Sequence, residues 1–372
     1  MLDGFFISLN PADDITNNPA IDFCILSTYL YHIQSKPMNG NSGIQEMLFN
    51  LIKSKLAPNI SFVHDLSELL GISYDSAYRR IRGQKDLTLE EVKKICEYYS
   101  ISMDETLNFQ SNNVSFTTLA IRKDGFTFEN WLHSLLVEMK KIYECRNREI
   151  IYAAKDVPIF YYFEFPEIAA FKFFFWHKVL IPSGGYDHDH IILDVPGELF
   201  ETGRKLLTCY TKIPVIEIWS EDTISSIIRQ IDYCLESGFF FLNEDALKLC
   251  DVIAVWLNHV QSQAEHGYQY MHQRPAEGIE NTYKLFHNEI LVNDNTILVN
   301  TDGRKTAYLT YNVINQMITK NPLFCDQIEN FLRNLMQKST LISGTSAKER
   351  HHFFNSLHEK VKALRQRIER RG

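Results

Sequence analysis

The chain has 372 residues, a formal net charge of −8, 45% hydrophobic and 13% aromatic residues, which is enough material for two or three domains around a large core. The acidic balance argues against a protein that coats nucleic acid or membrane surfaces, while leaving room for one local basic face. Seven scattered cysteines form no CxxC pair, which fits a reducing compartment, cytoplasm by default, and the richest apolar run, FKFFFWHKVLI from Phe171, is too short and too charged to span a bilayer.

Residues 1–43 read as an N-terminal extension, partly disordered: an acidic start, the apolar run IDFCILSTYLYHI, then polar SKPMNGNSG. Ile21 to Ile33 is expected to form a docking helix, and Met38 stands as an alternative start of the natural chain. The first clear helix opens at Ile44. Phe62, Leu66, Leu69 and Leu70 then recur at helical spacing, so Ser61 to Leu70 reads as a short amphipathic helix capped by Ser61. Gly71 ends it in the left-handed conformation that glycine adopts without steric cost, and Ser73 caps a second helix two residues on. In that helix Tyr74, Ala77, Tyr78 and Ile81 follow the spacing of a buried stripe, which leaves Asp75, Ser76, Arg79, Arg80 and Arg82 on other faces. Gly83 closes it. Thr88 with Glu91 is a capping box for a helix through Tyr99, with Leu89, Val92 and Ile95 inward, and Ser102 to Leu107 adds a last short turn.

Leu66, Gly71, Ser73, Gly83 and the later ISMDETL resemble the lambda-repressor and Cro class of helix-turn-helix domains (XRE-type), over residues 44–109. The resemblance implies a bundle of about five short helices that reads the major groove of double-stranded DNA. It also implies the contact residues: Ser73, Tyr74, Asp75 and Ser76 near base edges, Arg79 and Arg80 beside them, and Lys85 near the phosphates. Two positions depart from the class. Ala77 stands where a branched apolar residue is usual, and Arg80 where an apolar one is usual; Tyr78 and Ile81 are expected to fill that volume and to rotate the helix slightly.

QSNNVSFTT begins a polar linker, residues 110–124, ahead of a C-terminal sensor and oligomerisation domain, residues 125–372. Phe128 to Arg148 reads as an amphipathic helix, followed by the apolar segment EIIYAA. The aromatic crowding from Phe160 to Ile181 marks a core. PVIEIW reads as extended, and Ser220 to Ser237 and Asn243 to His266 as helices. A small antiparallel sheet is expected near 282–311, with Asp302-Gly303 the strongest hairpin signal, before helices resume at about Val313. Ser346 and Glu349 suggest a capping box for a C-terminal helix whose Phe354, Leu357, Val361, Leu364 and Ile368 form a short seam. That seam packs on its own domain or dimerises, and the basic tail from Lys360 to Arg371 is a solvated face or a phosphate contact. The fold class is therefore mainly α: a helix-turn-helix bundle followed by a large, mostly helical α+β domain.

Of catalytic chemistry there is little. Asp187, His188, Asp189 and His190 offer imidazoles and carboxylates to a divalent metal, but in a strand at most two of them share a face, and a polar loop is the ordinary explanation. There is no GxxxxGK[ST], GxGxxG, GxSxG or HExxH motif. The expectation is a cytoplasmic, repressor-like transcriptional regulator, not an enzyme, without cofactor or metal. It would act as a homodimer on DNA and answer to a small-molecule or protein effector, with no membrane partner. Two alternatives stand beside it: an interaction or scaffold protein whose helical module does not bind DNA, and a metal-dependent enzyme using His188 and His190.

Overall fold

The computed structural model describes residues 43–56, 61–99, 101, 103, 114–118, 127–180, 189–289, 294–311 and 314–371. They fall into two compact units that divide after residue 109. The expectations for residues 1–42, for the turn at 102–107 apart from residue 103, and for Asp187 and His188 lie outside the described residues.

The first unit holds four described helices: α1 (Ile44–Lys55), α2 (Phe62–Leu70), α3 (Tyr74–Ile81) and α4 (Leu89–Tyr98). Leu48, Phe49 and Ile52 of α1 meet Phe62, Leu66, Ala77, Ile95 and Ile101 in one small core. Gly71 ends α2 at φ +63°, and the Ile72 N–H donates to the Ser67 carbonyl, the glycine-terminated C-cap that a tight helix-helix corner needs. Two expected features are corrected. The Ser61 side chain makes no cap hydrogen bond, and Leu89 at the start of α4 is exposed, not inward, while Ile95 is buried.

The second unit is built on an eight-stranded sheet. In chain order it runs β1 (Thr117–Thr118), α5 (Phe128–Glu144), β2 (Arg148–Ala154), a 3-10 turn (Ile159–Phe163), α6 (Pro166–Phe175), α7 (Gly197–Tyr210), β3 (Val215–Trp219) and α8 (Ser225–Glu236). Then follow α9 (Asn243–His266), β4 (Tyr283–His287), β5 (Thr296–Thr301), β6 (Arg304–Tyr311), β7 (Asn315–Thr319), α10 (Pro322–Gln337), β8 (Thr340–Leu341) and α11 (Ala347–Glu369). The strand order is β1-β7-β6-β5-β2-β3-β4-β8. β2, β3 and β4 are parallel, joined by helical crossovers, and the remaining pairs are antiparallel.

The chain is helical with mixed α+β character, as expected, but the sheet reaches well beyond 282–311. β4 and β5 do not pair, because β3 and β2 lie between them. Residues 117–118, inside the stretch read as a linker, hydrogen-bond to β7, and β7 occupies the span where helices were expected to resume. The hairpin at Asp302-Gly303 forms with both residues at positive φ, +49° and +80°, which is the type I′ geometry that matches strand twist.

Alternation along the central strands explains why both sheet faces are covered. Ile150, Tyr152, Val215, Trp219, Leu285 and Val299 face the large core, shared with α5 to α9 and α11. Ile151, Ala153, Ile216, Ile218 and Leu298 face the other way, onto Cys325 and Leu332 of α10. The aromatic-rich stretch supplies Tyr161, Phe163, Phe171, Phe174 and Trp176 to the large core. The α11 seam, from Phe354 through Leu357, Val361 and Leu364 to Ile368, is buried in that same core, so it is not available to a second chain. The α11 cap differs too, since the Ser346 side chain accepts no cap hydrogen bond. The tail's cations are engaged locally: Lys360 with Asp222, Arg365 with Asp251, Arg367 with Asp232 and Arg371 with Glu236. Among the described residues no helix is long and apolar enough to cross a membrane.

One polar group sits at the centre of the large core. Glu217 of β3 is fully buried and accepts hydrogen bonds from the hydroxyls of Tyr210 (2.5 Å), Tyr161 (3.1 Å) and Tyr283 (3.1 Å), while Gln269 donates to Tyr161 (2.6 Å). Burial pushes its carboxyl up to about 7 against the hydroxyl donors. A carboxyl whose folded pKa is raised binds its proton more tightly folded than unfolded. Its contribution to stability is therefore full below about pH 4.5 and is lost as pH rises toward 7. Thermal unfolding of the full chain should show this decline between pH 4.5 and 7, and Glu217→Gln should flatten it; an unchanged pH profile in that variant would contradict the assignment. Tyr210→Phe, which removes one donor from a buried acceptor, should cost about 1–3 kcal/mol.

Candidate nucleic-acid interface

The face that α3 presents is set by which of its residues the core takes. Ala77 is buried against the core of the first unit, and so is Arg80, only 4% exposed. Tyr74 and Tyr78 are exposed. The buried stripe is thus Ala77, Arg80 and the half-buried Ile81, not the tyrosine-containing stripe expected from spacing. Ile81 packs against the core as expected, while Arg80 is buried and Tyr78 is not.

A guanidinium in that position requires a partner. Arg80 Nε donates to Glu91 Oε2 (3.1 Å) and Nη2 to Glu91 Oε1 (2.7 Å), a bidentate pair, while Nη1 donates to the Ser76 hydroxyl (2.8 Å) and carbonyl (3.2 Å). The same Glu91 closes the capping box of α4: it accepts from the Thr88 N–H (3.0 Å), and the Thr88 hydroxyl accepts from the Glu91 N–H (3.2 Å). The Arg80 hydrogen bond, with help from the Thr88 N–H and the nearby positive charge, holds the Glu91 carboxyl below its usual value of 4.5.

Gln45 of α1 fastens the loop between α3 and α4. Its amide donates to the carbonyls of Arg80 (2.8 Å) and Lys85 (2.9 Å) and its carbonyl accepts from the Leu87 N–H (2.8 Å). Gly83, at φ +69°, turns the chain there, and its N–H donates to the Arg80 carbonyl. The loop that carries Lys85 is therefore tied to α1 by backbone groups, and its side chain is exposed.

The seven expected contact residues divide accordingly. Tyr74, Asp75, Arg79 and Lys85 are exposed together on α3 and its following loop. Ser73 is exposed, but its hydroxyl accepts the cap bond from the Ser76 N–H (3.3 Å). Ser76 is half-buried, with its hydroxyl engaged by Arg80. Arg80 is corrected outright, since its side chain is buried and four of its five N–H donors are taken by Glu91 and Ser76. Two residues outside the expected set share the exposed face: Tyr78, and Arg82, whose guanidinium lies 4.6 Å from the Tyr78 ring. The signal that was available is the spacing of four that joins residues 74, 78 and 82. Gln45 carries no local signal, because its partners lie 35 to 42 residues away. The metal alternative fares differently: Asp189 pairs with Lys178, His190 is exposed beside Phe241, and among the described residues no group of three or more His, Cys, Asp or Glu converges.

Residues 44–140 match the model of a family described as BetR domain. The match supports a helical, helix-turn-helix-type DNA-binding domain in this part of the chain. No curated protein and no solved structure matches the chain.

Removing one partner of a buried pair leaves the other charge uncompensated. Arg80→Ala should therefore destabilise the first unit by about 3–5 kcal/mol, read as lost amide-exchange protection over residues 74–98 in the full chain. Because the Glu91 carboxyl is lowered in the folded state, the pair stabilises above about pH 4.5 and the stabilisation disappears as pH falls through the lowered value. Protection in α3 and α4 that survived Arg80→Ala would rule out the structural role.

Proposed function

We propose that this chain is a DNA-binding transcriptional regulator of the lambda-repressor and Cro kind, in which α3 enters the major groove and the second unit senses an effector or assembles subunits. The observation that carries this reading is the exposed face of α3: Tyr74, Asp75, Tyr78, Arg79 and Arg82, with Lys85 just beyond, on a helix whose opposite face is locked by Arg80 and Glu91. Arginine and tyrosine on one rigid helical face suit base edges and phosphates. Asp75 at the first turn is positioned to accept from a cytosine amino group as well as to favour the helix dipole.

The protein would act in the cytoplasm, without catalytic activity, cofactor or metal, on double-stranded DNA as a homodimer. Paired half-sites about one helical turn apart, roughly 34 Å, call for two readers. With the α11 seam internal, the dimer contact belongs to another surface. Effector binding in the second unit would change the spacing of the two readers and so their joint affinity.

Exposed Ile44, Met47 and Leu89 on the first unit are the features that favour the other reading, a protein-interaction module. Selection from a random duplex pool with the full chain separates the two. The regulator reading expects bound sequences, a negative slope of log affinity against log salt, and a slope reduced by about one for each of Arg79→Ala, Arg82→Ala and Lys85→Ala. A dimeric, folded protein that enriches no sequence would refute it.

A further inference from the structure

A cavity of about 490 Å³ in the second unit opens where the start of α6 meets α7 and the loop after α9, lined by Glu164, Phe165, Glu167, Arg204, His272 and Arg274 among others. Its size is that of a small-metabolite site. Glu164 is one of its lining residues. It is 3% exposed, its Oε1 accepts from the His272 N–H (2.6 Å), and its Oε2 is buried with no partner among the described residues. A buried carboxylate oxygen left unsatisfied is costly and rare in a folded protein, and this one belongs to a residue that lines a cavity.

The opposite charge is close but not joined. Burial raises the Glu164 carboxyl, with the His272 N–H and then the charge of Arg204 on α7 acting against it, and no carboxylate of the described residues lies within ion-pair distance of Arg204 or of Arg274. The other acid of the cavity, Glu167, is already paired with Lys248 (3.1 Å). The loop that carries His272 and Arg274 holds Gln273 at φ +60°, a conformation that a side chain other than glycine adopts at a cost and that recurs around ligand sites. His272 is packed against the Phe165 ring (4.8 Å) and His259 (5.3 Å). Burial, with Arg204 nearby, lowers its pKa, so it stands as a neutral wall and not as a third cation.

We infer that this cavity binds a small zwitterion of the α-amino acid class, its ammonium on the free Glu164 Oε2 and its carboxylate between the Arg204 and Arg274 guanidiniums. A ligand with separated charges satisfies both ends at once: the buried carboxylate gains the donor it lacks, and the two guanidiniums gain the planar anion they bind best. A simple anion would leave Glu164 unpaired and opposed to it. A simple cation would be repelled by the two arginines that line the same cavity. In the proposed regulator this site would supply the effector input, but binding is read without DNA, so failure here and failure of DNA binding are separate outcomes.

The test is calorimetric titration of the full chain with single L-amino acids, each paired with its deaminated carboxylic acid and its decarboxylated amine. At least one amino acid should bind, and both truncated analogues should bind at least about tenfold more weakly, as should the amino acid to Arg204→Ala, Arg274→Ala and Glu164→Gln. Arg274 is exposed, so Arg274→Ala keeps the test valid should the buried Glu164 variant fail to fold. Binding of no amino acid, binding of the carboxylic acid as tight as that of its amino acid, or binding indifferent to Arg274→Ala in a protein with unchanged melting would each overturn the inference.

Discussion

The geometry of the first unit depends on the pair between Arg80 and Glu91. A helix-turn-helix domain presents one face of its second helix to the outside, and which face that is follows from what the core accepts. Here the core accepts a small residue, Ala77, and a long cationic one, Arg80, whose guanidinium is neutralised by a carboxylate from the next helix. Glu91 is committed three ways at once, to Arg80, to the Thr88 N–H, and through its own N–H to the Thr88 hydroxyl. The pair therefore sets the rotation of α3 and the start of α4 together. Gln45 adds a second tie from α1 to the intervening loop. A buried pair of this kind adds less net stability than an apolar contact of the same volume, and its contribution here is orientation.

The second unit solves a related problem with different means. Its central strands are apolar on both faces, which demands helices on both sides of the sheet, and the chain supplies a large helical layer on one face and α10 on the other. Glu217 is the exception within that apolar strand. Three tyrosine hydroxyls from α7, β4 and the 3-10 turn converge on it, so a single buried carboxyl ties together segments distant in sequence. α11 closes the layer with an apolar seam inward and with Lys360, Arg365, Arg367 and Arg371 paired to acids of α8 and α9 and the segment before α8, so the seam is used within its own unit.

Much of this was legible from residues alone, where the physics is local. Gly71 and Gly83 at positive φ, the Ser73 cap, the Thr88 and Glu91 capping box, the helix from Asn243 to His266 and the Asp302-Gly303 hairpin all rest on interactions spanning a few residues. What could not be read is the choice among amphipathic faces. Spacing treats Tyr74 and Tyr78 as apolar and Arg80 as polar, because it has no knowledge of a carboxylate eleven residues away that makes the arginine cheap to bury. For the same reason the site gained Tyr78 and Arg82 and lost Arg80.

The sheet shows the same division. EIIYAA and VIEIW were visible as short apolar segments, but pairing partners are long-range facts: β5 returns to β2, not to β4, and a two-residue strand from the supposed linker completes the far edge. By itself the sequence determined the corners at Gly71 and Gly83, the caps at Ser73 and Thr88, the helix from Asn243 and the hairpin at Asp302-Gly303, since these are decided by backbone sterics and by hydrogen bonds between near neighbours. Only the tertiary structure decided the strand order, the burial of Arg80 and Glu217, the outward face of α3, and the cavity at Glu164, since each depends on groups brought together from distant parts of the chain.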